Sequence, residues 1–197
     1  ISLLEILQAK QGDWIVQTAA NGAVGKIMGV LAKSRGINLL NFVRRDDAVK
    51  ELTNRGMDNV LSTGTEGWQQ KARALIGKAG AVSAIDSVGG EMGAELVDLL
   101  GVNGELIVFG TATGTPLQLN SGALIMKQIT VKGFWGSMVS NDMDPAQRNR
   151  LITELLTLAV KGELQLEDGG SFDLDDVTAA MTAALTPGRA GKVMLRG

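Results

Sequence analysis

Two kinds of apolar pattern alternate along the whole chain. Short, nearly continuous apolar runs, such as residues 14–19 and 37–43, have the length of strands covered on both faces. Longer stretches with helical spacing lie between them. Val24, Ile27, Met28 and Leu31 recur at i, i+3, i+4 and i+7, so residues 26–35 are predicted helical with that stripe against a sheet. Gly36 stops this helix. The same alternation continues: a helix over 46–55 ended by Gly56, a strand over 59–62, a helix over 68–78 and a strand over 81–88.

Gly89-Gly90 opens a further helix in which Met92, Leu96, Leu99 and Leu100 share one face, and Gly101 ends it. Residues 104–110 read as a buried strand, and 111–119 as a turn-rich, solvent-facing stretch. Residues 129–135 alternate more than the earlier strands, the pattern of an edge strand. Asp144-Pro145 places a capping carboxylate before a proline at the first helical position, so a helix is expected to run to Lys161 and stop at Gly162. Beyond it lie an acidic stretch (164–172), a helix (173–185) and a last strand (192–195). Strands alternating with helices predict an α/β fold, a Rossmann-type doubly wound parallel sheet. The expected division is 1–162 for the sheet domain and 163–197 for a C-terminal segment.

Composition narrows the function classes. The chain has 197 residues and a net charge of −2, with no basic block to meet a nucleic-acid backbone. No run approaches the roughly 18 apolar residues of a membrane span. His, Cys and Tyr are all absent. No zinc site is expected from carboxylates alone, and the commonest general acid–base side chain is missing. A chain without cysteine fits a reducing, cytoplasmic setting. It opens on Ile1 in an apolar, helix-like run, so a piece of a larger protein is expected.

The turn after the first strand carries candidate chemistry. Ala20-Asn-Gly-Ala-Val-Gly25 places Asn21, Gly22, Ala23, Val24 and Gly25 between a strand and a helix, with Ala20 where a first glycine would stand. Small residues there let backbone N–H groups and a helix N-terminus reach a pyrophosphate. The same residues could serve packing alone. Arg44 and Arg45 end the next strand, where a dinucleotide site preferring NADH carries an acid. A guanidinium there can fork onto a 2′-phosphate, so NADPH is the expected cofactor, with NADH weaker through the nearby Asp46 and Asp47. The alternative is a pair of surface arginines ahead of a helix. Asp86, an acid inside an apolar strand, is expected to cap the Gly89-Gly90 turn.

Taken in order, Ala19-Ala-Asn-Gly-Ala-Val-Gly25, Asn41-Phe-Val-Arg-Arg45, Asp86-Ser-Val-Gly-Gly90, Phe109-Gly110 and Lys132-Gly-Phe-Trp135 form a set. It resembles the nucleotide-binding domain of zinc-independent medium-chain dehydrogenase/reductases, in the trans-2-enoyl-thioester reductase and quinone oxidoreductase branches. The resemblance implies a GroES-like domain outside this sequence, to which 163–197 would return. The family's catalytic tyrosine lies there, so no catalytic residue is assigned to this chain and the fragment alone is expected to be inactive. The implied activity is hydride transfer to an activated C=C bond of a small-molecule substrate, a 2-enoyl thioester. Quinone reduction and a non-enzymatic NADPH-binding sensor or scaffold are the alternatives.

By the same resemblance, Asn21 to Val24 would lie along the pyrophosphate, with Arg44 on the 2′-phosphate and Arg45 as helper. Phe109, Gly110, Thr111 and Ala112 would flank the ribose and nicotinamide, although reductases of the enoyl branch tend to have Tyr-Gly-Gly-Met there. Phe134, Trp135 and Gly136 would meet the carboxamide, and Lys192 would approach a cofactor phosphate. Core packing for the three aromatic rings and ordinary solvation for Lys192 are the competing assignments. Residues 129–135 are the implied contact of a homodimer.

Overall fold

The computed structural model describes residues 1–7, 9–165, 167–186 and 191–197. It divides into two compact units, Ile1–Glu154 and Leu155–Gly197. In the first, a short helix α1 (Ser2–Ile6) precedes β1 (Trp14–Gln17), α2 (Ala23–Ser34), β2 (Asn38–Val43), α3 (Asp46–Asn54) and β3 (Val60–Ser62). Then come α4 (Trp68–Ile76), β4 (Ala81–Asp86), α5 (Met92–Leu99), β5 (Leu100–Val108), α6 (Ser121–Lys127), β6 (Thr130–Gly133) and α7 (Gly136–Asp142). Helix α8 (Pro145–Val160) runs from the first unit into the second, which holds β7 (Asp168–Asp173), α9 (Val177–Leu185) and β8 (Lys192–Arg196). Asp144 caps α8 as expected, its carboxylate accepting from Gln147 N at 3.0 Å.

Six strands form one parallel sheet in the order β3-β2-β1-β4-β5-β6. This is the doubly wound order, in which the chain reverses direction across the sheet between β1 and β4. β6 lies at the edge, and all four of its residues are exposed. In the second unit β7 and β8 pair in parallel across α9, a strand–helix–strand segment.

Both sheet faces are covered, and adjacent strand residues show it. Phe42 joins Val16, Leu40, Leu106 and the α4–α5 residues Trp68, Ala72, Leu96 and Val97 in one buried cluster. Its ring meets Trp68 edge-on, with centroids 4.9 Å apart. Val43, the next residue, packs instead with Ala20, Ala48 and Leu52. Side chains alternate across a strand, so these two clusters lie on opposite faces. Each fully buried Leu- or Phe-sized side chain contributes about 1.5–3 kcal/mol relative to exposure.

Two local expectations change. In α2 the buried stripe is Gly25, Met28, Leu31 and Ala32, whereas Val24 is 42% exposed. Val24 sits in the first turn of α2, where Gly25 takes the inward position against Ala20. β5 begins at Leu100 rather than at Gly104, because Leu100 already pairs with Ala81 before a register shift. Gly101 is required there: an added Cβ would lie 2.2 Å from the Ala79 carbonyl oxygen.

The helix entering the unit and the one leaving it are tied to the same cation. The Arg35 guanidinium, at the end of α2, donates to Glu5 at 2.6 Å and to both carboxylate oxygens of Glu154 at 2.9 and 2.7 Å. Arg150 donates to the other Glu5 oxygen at 2.7 Å. Burial works against the Glu5 charge, but the Arg35 and Arg150 hydrogen bonds outweigh it and hold its carboxyl below the usual range. Bonds of this charge-assisted kind fix α1 and the start of α8 against α2.

Candidate dinucleotide site

The candidate residues of the first unit gather along the carboxyl ends of the strands. Beyond β1 the chain turns at Ala19, whose φ of +52° puts a side-chain-bearing residue in left-handed backbone. The special backbone position is thus Ala19 and not Ala20, which is fully buried and donates its N–H to Phe42 O at 3.0 Å. Gly22 follows as the N-cap of α2 in extended backbone, with no side chain capping the helix. Asn21, Gly22, Ala23 and Val24 are all exposed. The uncapped first turn leaves backbone donors and the positive end of the helix dipole facing outward, suited to an anion.

Gly25 sets how close the helix comes. An added Cβ would fall 2.6 Å from Ala20 Cα, so α2 packs against the turn at a distance no other residue permits. A buried amide pair reinforces the junction. Gln17 Nε2 donates to Gly25 O at 2.9 Å and to Asn41 Oδ1 at 2.6 Å, and Asn41 Nδ2 reaches Asp58 O at 2.9 Å. These polar residues inside apolar strands are satisfied, as burial requires.

At the end of β2, Arg44 and Arg45 are both exposed, but their surroundings differ. Arg45 is ion-paired to Asp47 at 3.0 Å. The Arg44 guanidinium has no hydrogen bond or ion pair among the described residues; only its carbonyl is engaged, by Ser62 Oγ at 3.4 Å. Asp46 accepts from Thr65 Oγ1 at 2.8 Å. The Ser62 and Thr65 hydroxyls hold its carboxyl below the usual range. Asp47 accepts from Ala48 N at 2.8 Å.

The crevice between β1 and β4 is organised by Asp86. It is fully buried and accepts from Val88 N at 2.9 Å, Gly89 N at 3.0 Å and Thr18 Oγ1 at 3.2 Å. The expected cap on the Gly89-Gly90 turn is therefore present. Sequence reasoning misses Thr18, because a threonine closing an apolar strand carries no local signal of its partner. Phe109 and Gly110 leave β5 donating to Asp86 O at 2.7 and 3.1 Å. The Phe109 and Phe134 rings meet at 5.8 Å, both half-buried. Thr111, Ala112 and Trp135 are exposed, Trp135 at 68%, and Gly136 opens α7. Lys192 begins β8 in the second unit, exposed and opposite Asp168.

Residues 23–151 match the family model described as zinc-binding dehydrogenase. The chain belongs to that family. Among the described residues of this family member, no group of three or more His, Cys, Asp or Glu side chains could hold a metal ion. It is 31% identical over 189 residues, 93% of the chain, to the mitochondrial enoyl-[acyl-carrier-protein] reductase of Caenorhabditis elegans. It is 26% identical over 98% of the chain to the human enzyme of the same name. Among solved structures, the quinone oxidoreductase of Thermus thermophilus, solved alone and with NADPH, superposes with a TM-score of 0.80. That match covers 98% of this chain and 61% of the other at 25% identity. The chain spans about half the length of the curated relatives, 54% and 53% respectively. No described helix is long and apolar enough to cross a membrane.

Proposed function

We propose that this chain is the NADPH-holding domain of a reductase acting on the activated C=C bond of a 2-enoyl thioester. One observation carries the cofactor choice: among the described residues the Arg44 guanidinium has no protein partner, the α2 N-terminus is uncapped, and both neighbouring acids are engaged. A free guanidinium can fork onto a 2′-phosphate, and an engaged carboxylate is a poor acceptor for the ribose diol. The similarity to enoyl reductases over nearly the whole chain supports the substrate class.

The backbone of Asn21 to Val24 would hold the pyrophosphate, and Gly25 lets α2 bring its dipole to bear. Phe109 to Ala112 and Phe134 to Gly136, side by side at the ends of β5 and β6, would orient the nicotinamide half. When bound, the cofactor supplies the hydride. The family resemblance alone assigns Lys192 to a cofactor phosphate. The residues that act on substrate belong to a domain outside this sequence, so the chain alone binds nucleotide without turnover. Quinone reduction is the second reading, favoured by the Thermus thermophilus structure. Steady-state turnover of the full-length protein with a crotonyl thioester against a quinone separates the two.

The cofactor reading is tested by titrating NADPH and NADH while following tryptophan fluorescence, with Trp135 exposed at the proposed nicotinamide end. Arg44→Ala is expected to cost about 1.5–3 kcal/mol of NADPH affinity, the range for hydrogen bonds to charged groups. NADH affinity should stay within about twofold, since it lacks the phosphate. Equal losses for both nucleotides would make Arg44 structural and end the reading.

We also propose a homodimer in which β6 of two copies pair. β6 offers a strand edge that no described strand pairs with, and its exposed residues include Val131. Equilibrium sedimentation should give twice the monomer mass; a monomer at high concentration would refute it.

A further inference from the structure

Asp46, two residues past Arg44 at the first position of α3, is the acid next to the place where this fold carries the residue that accepts a ribose diol. A carboxylate free at that place would favour NADH and repel a 2′-phosphate. It is not free. Thr65 Oγ1 donates to Asp46 Oδ1 at 2.8 Å. Thr65 belongs to the turn that leaves β3, and β3 lies on the far side of β2 from β1. The hydrogen bond therefore draws the carboxylate toward β3, away from the turn after β1 where the adenosine half would lie.

The turn holding Thr65 is itself fixed. Thr63 N donates to Val43 O at 2.8 Å, Gly64 N to Ser62 Oγ at 3.2 Å, and Thr65 N to Ser62 O at 3.3 Å. Gly64 lies so close to the Arg44 carbonyl that an added Cβ would stand 2.9 Å from it. The backbone carrying the hydroxyl is thus locked to the backbone carrying the arginine. Resting on the NADPH reading above, we infer that Thr65 is a specificity-determining positioning residue: its hydroxyl holds Asp46 away from the adenosine ribose and leaves Arg44 to select the 2′-phosphate.

The test is a set of NADPH and NADH titrations on the full-length protein carrying Thr65→Val, Thr65→Ser, Asp46→Asn, the Thr65→Val/Asp46→Asn pair and Arg44→Ala. Thr65→Val should lower the NADPH-to-NADH affinity ratio by about tenfold, the effect of one hydrogen bond to a charged group. Thr65→Ser keeps a hydroxyl and should keep the ratio. Adding Asp46→Asn to Thr65→Val should restore it, because no charge is left to redirect. A role for Thr65 in folding alone would lower both affinities and would not be rescued by Asp46→Asn. An unchanged ratio in Thr65→Val, or an equal fall with and without Asp46→Asn, overturns the inference. If Arg44→Ala collapses the ratio while Thr65→Val does not, only this inference falls. If Arg44→Ala leaves the ratio unchanged, the NADPH reading falls with it.

Discussion

Gly25→Ala should lower the unfolding free energy by about 3 kcal/mol and weaken nucleotide binding by about tenfold or more, at the upper end for overpacking a close contact. The new methyl carbon would stand 2.6 Å from both Ala20 Cα and Ala20 O, and 2.8 Å from Ala20 C. All three atoms are backbone, and Ala20 cannot retreat. It is fully buried, and its N–H is bonded to Phe42 O. The helix must move instead, and Gln17 Nε2 then loses Gly25 O. Helix propensity pulls the other way, by up to about 1 kcal/mol for glycine to alanine, but a backbone clash outweighs it. Gly29→Ala is the matched control in the same helix. There the added Cβ meets the Met57 methyl at 2.8 Å, the far end of a flexible side chain that can swing aside. Urea unfolding of the two variants beside wild type checks the prediction. Gly25→Ala as stable as Gly29→Ala would show that α2 is not held at this distance.

The strands and long helices are legible in the sequence because their residues obey one period each. Trp14, Asn38, Asp46, Trp68 and Ala81 all begin elements at or within one residue of the expected start. The two short helices α6 and α7 are not legible in the same way. Neither has a fully buried residue, so no stripe marks them; Ile125 and Met126 of α6 are 68% and 80% exposed. Asn120 is the available clue, a cap whose carboxamide oxygen accepts from Ala123 N. Val24 misleads because period alone cannot say that the close approach of Gly25 to Ala20 turns the first turn's inward position to the glycine.

At the candidate site, residue type and order along the chain pick out the turn, the two arginines and Asp86. What those residues touch depends on strand neighbours distant in sequence. Arg45 pairs with Asp47 while Arg44 has no partner among the described residues, and the restraint on Asp46 comes from the Ser62 and Thr65 hydroxyls, at the end and on the exit of the next strand. Similarly, Gln17 and Asn41 read as polar interruptions of apolar strands, yet in space they bridge β1, α2 and β2.

Asp86→Ala is expected to destabilise by about 3–4 kcal/mol, from several donors to a buried carboxylate left unpaired at once. Val88 N, Gly89 N and the Thr18 hydroxyl all point at that carboxylate, which is 0% exposed. Gly89 and Gly90 have φ of +81° and +63°, so the turn departs from ordinary backbone and relies on this cap to hold its shape. Asp86→Asn should fall between, because its amide keeps one acceptor oxygen but turns a donor toward another donor. Thr18→Val should be mildest, at about 1–2 kcal/mol, since Ser87 N loses the Thr18 oxygen while the carboxylate keeps two backbone bonds. The damage should also reach the nucleotide site. Ala112 N bonds to Ser87 O, Thr113 N to Val88 O and Gln118 N to Gly90 O, so the segment after Phe109 rests on the turn that Asp86 shapes. Urea midpoints should rank wild type, Thr18→Val, Asp86→Asn and Asp86→Ala in descending order, with NADPH affinity in the same order. An Asp86→Ala protein within about 1 kcal/mol of wild type would mean that water replaces the carboxylate without cost, and that Asp86 does not organise the crevice.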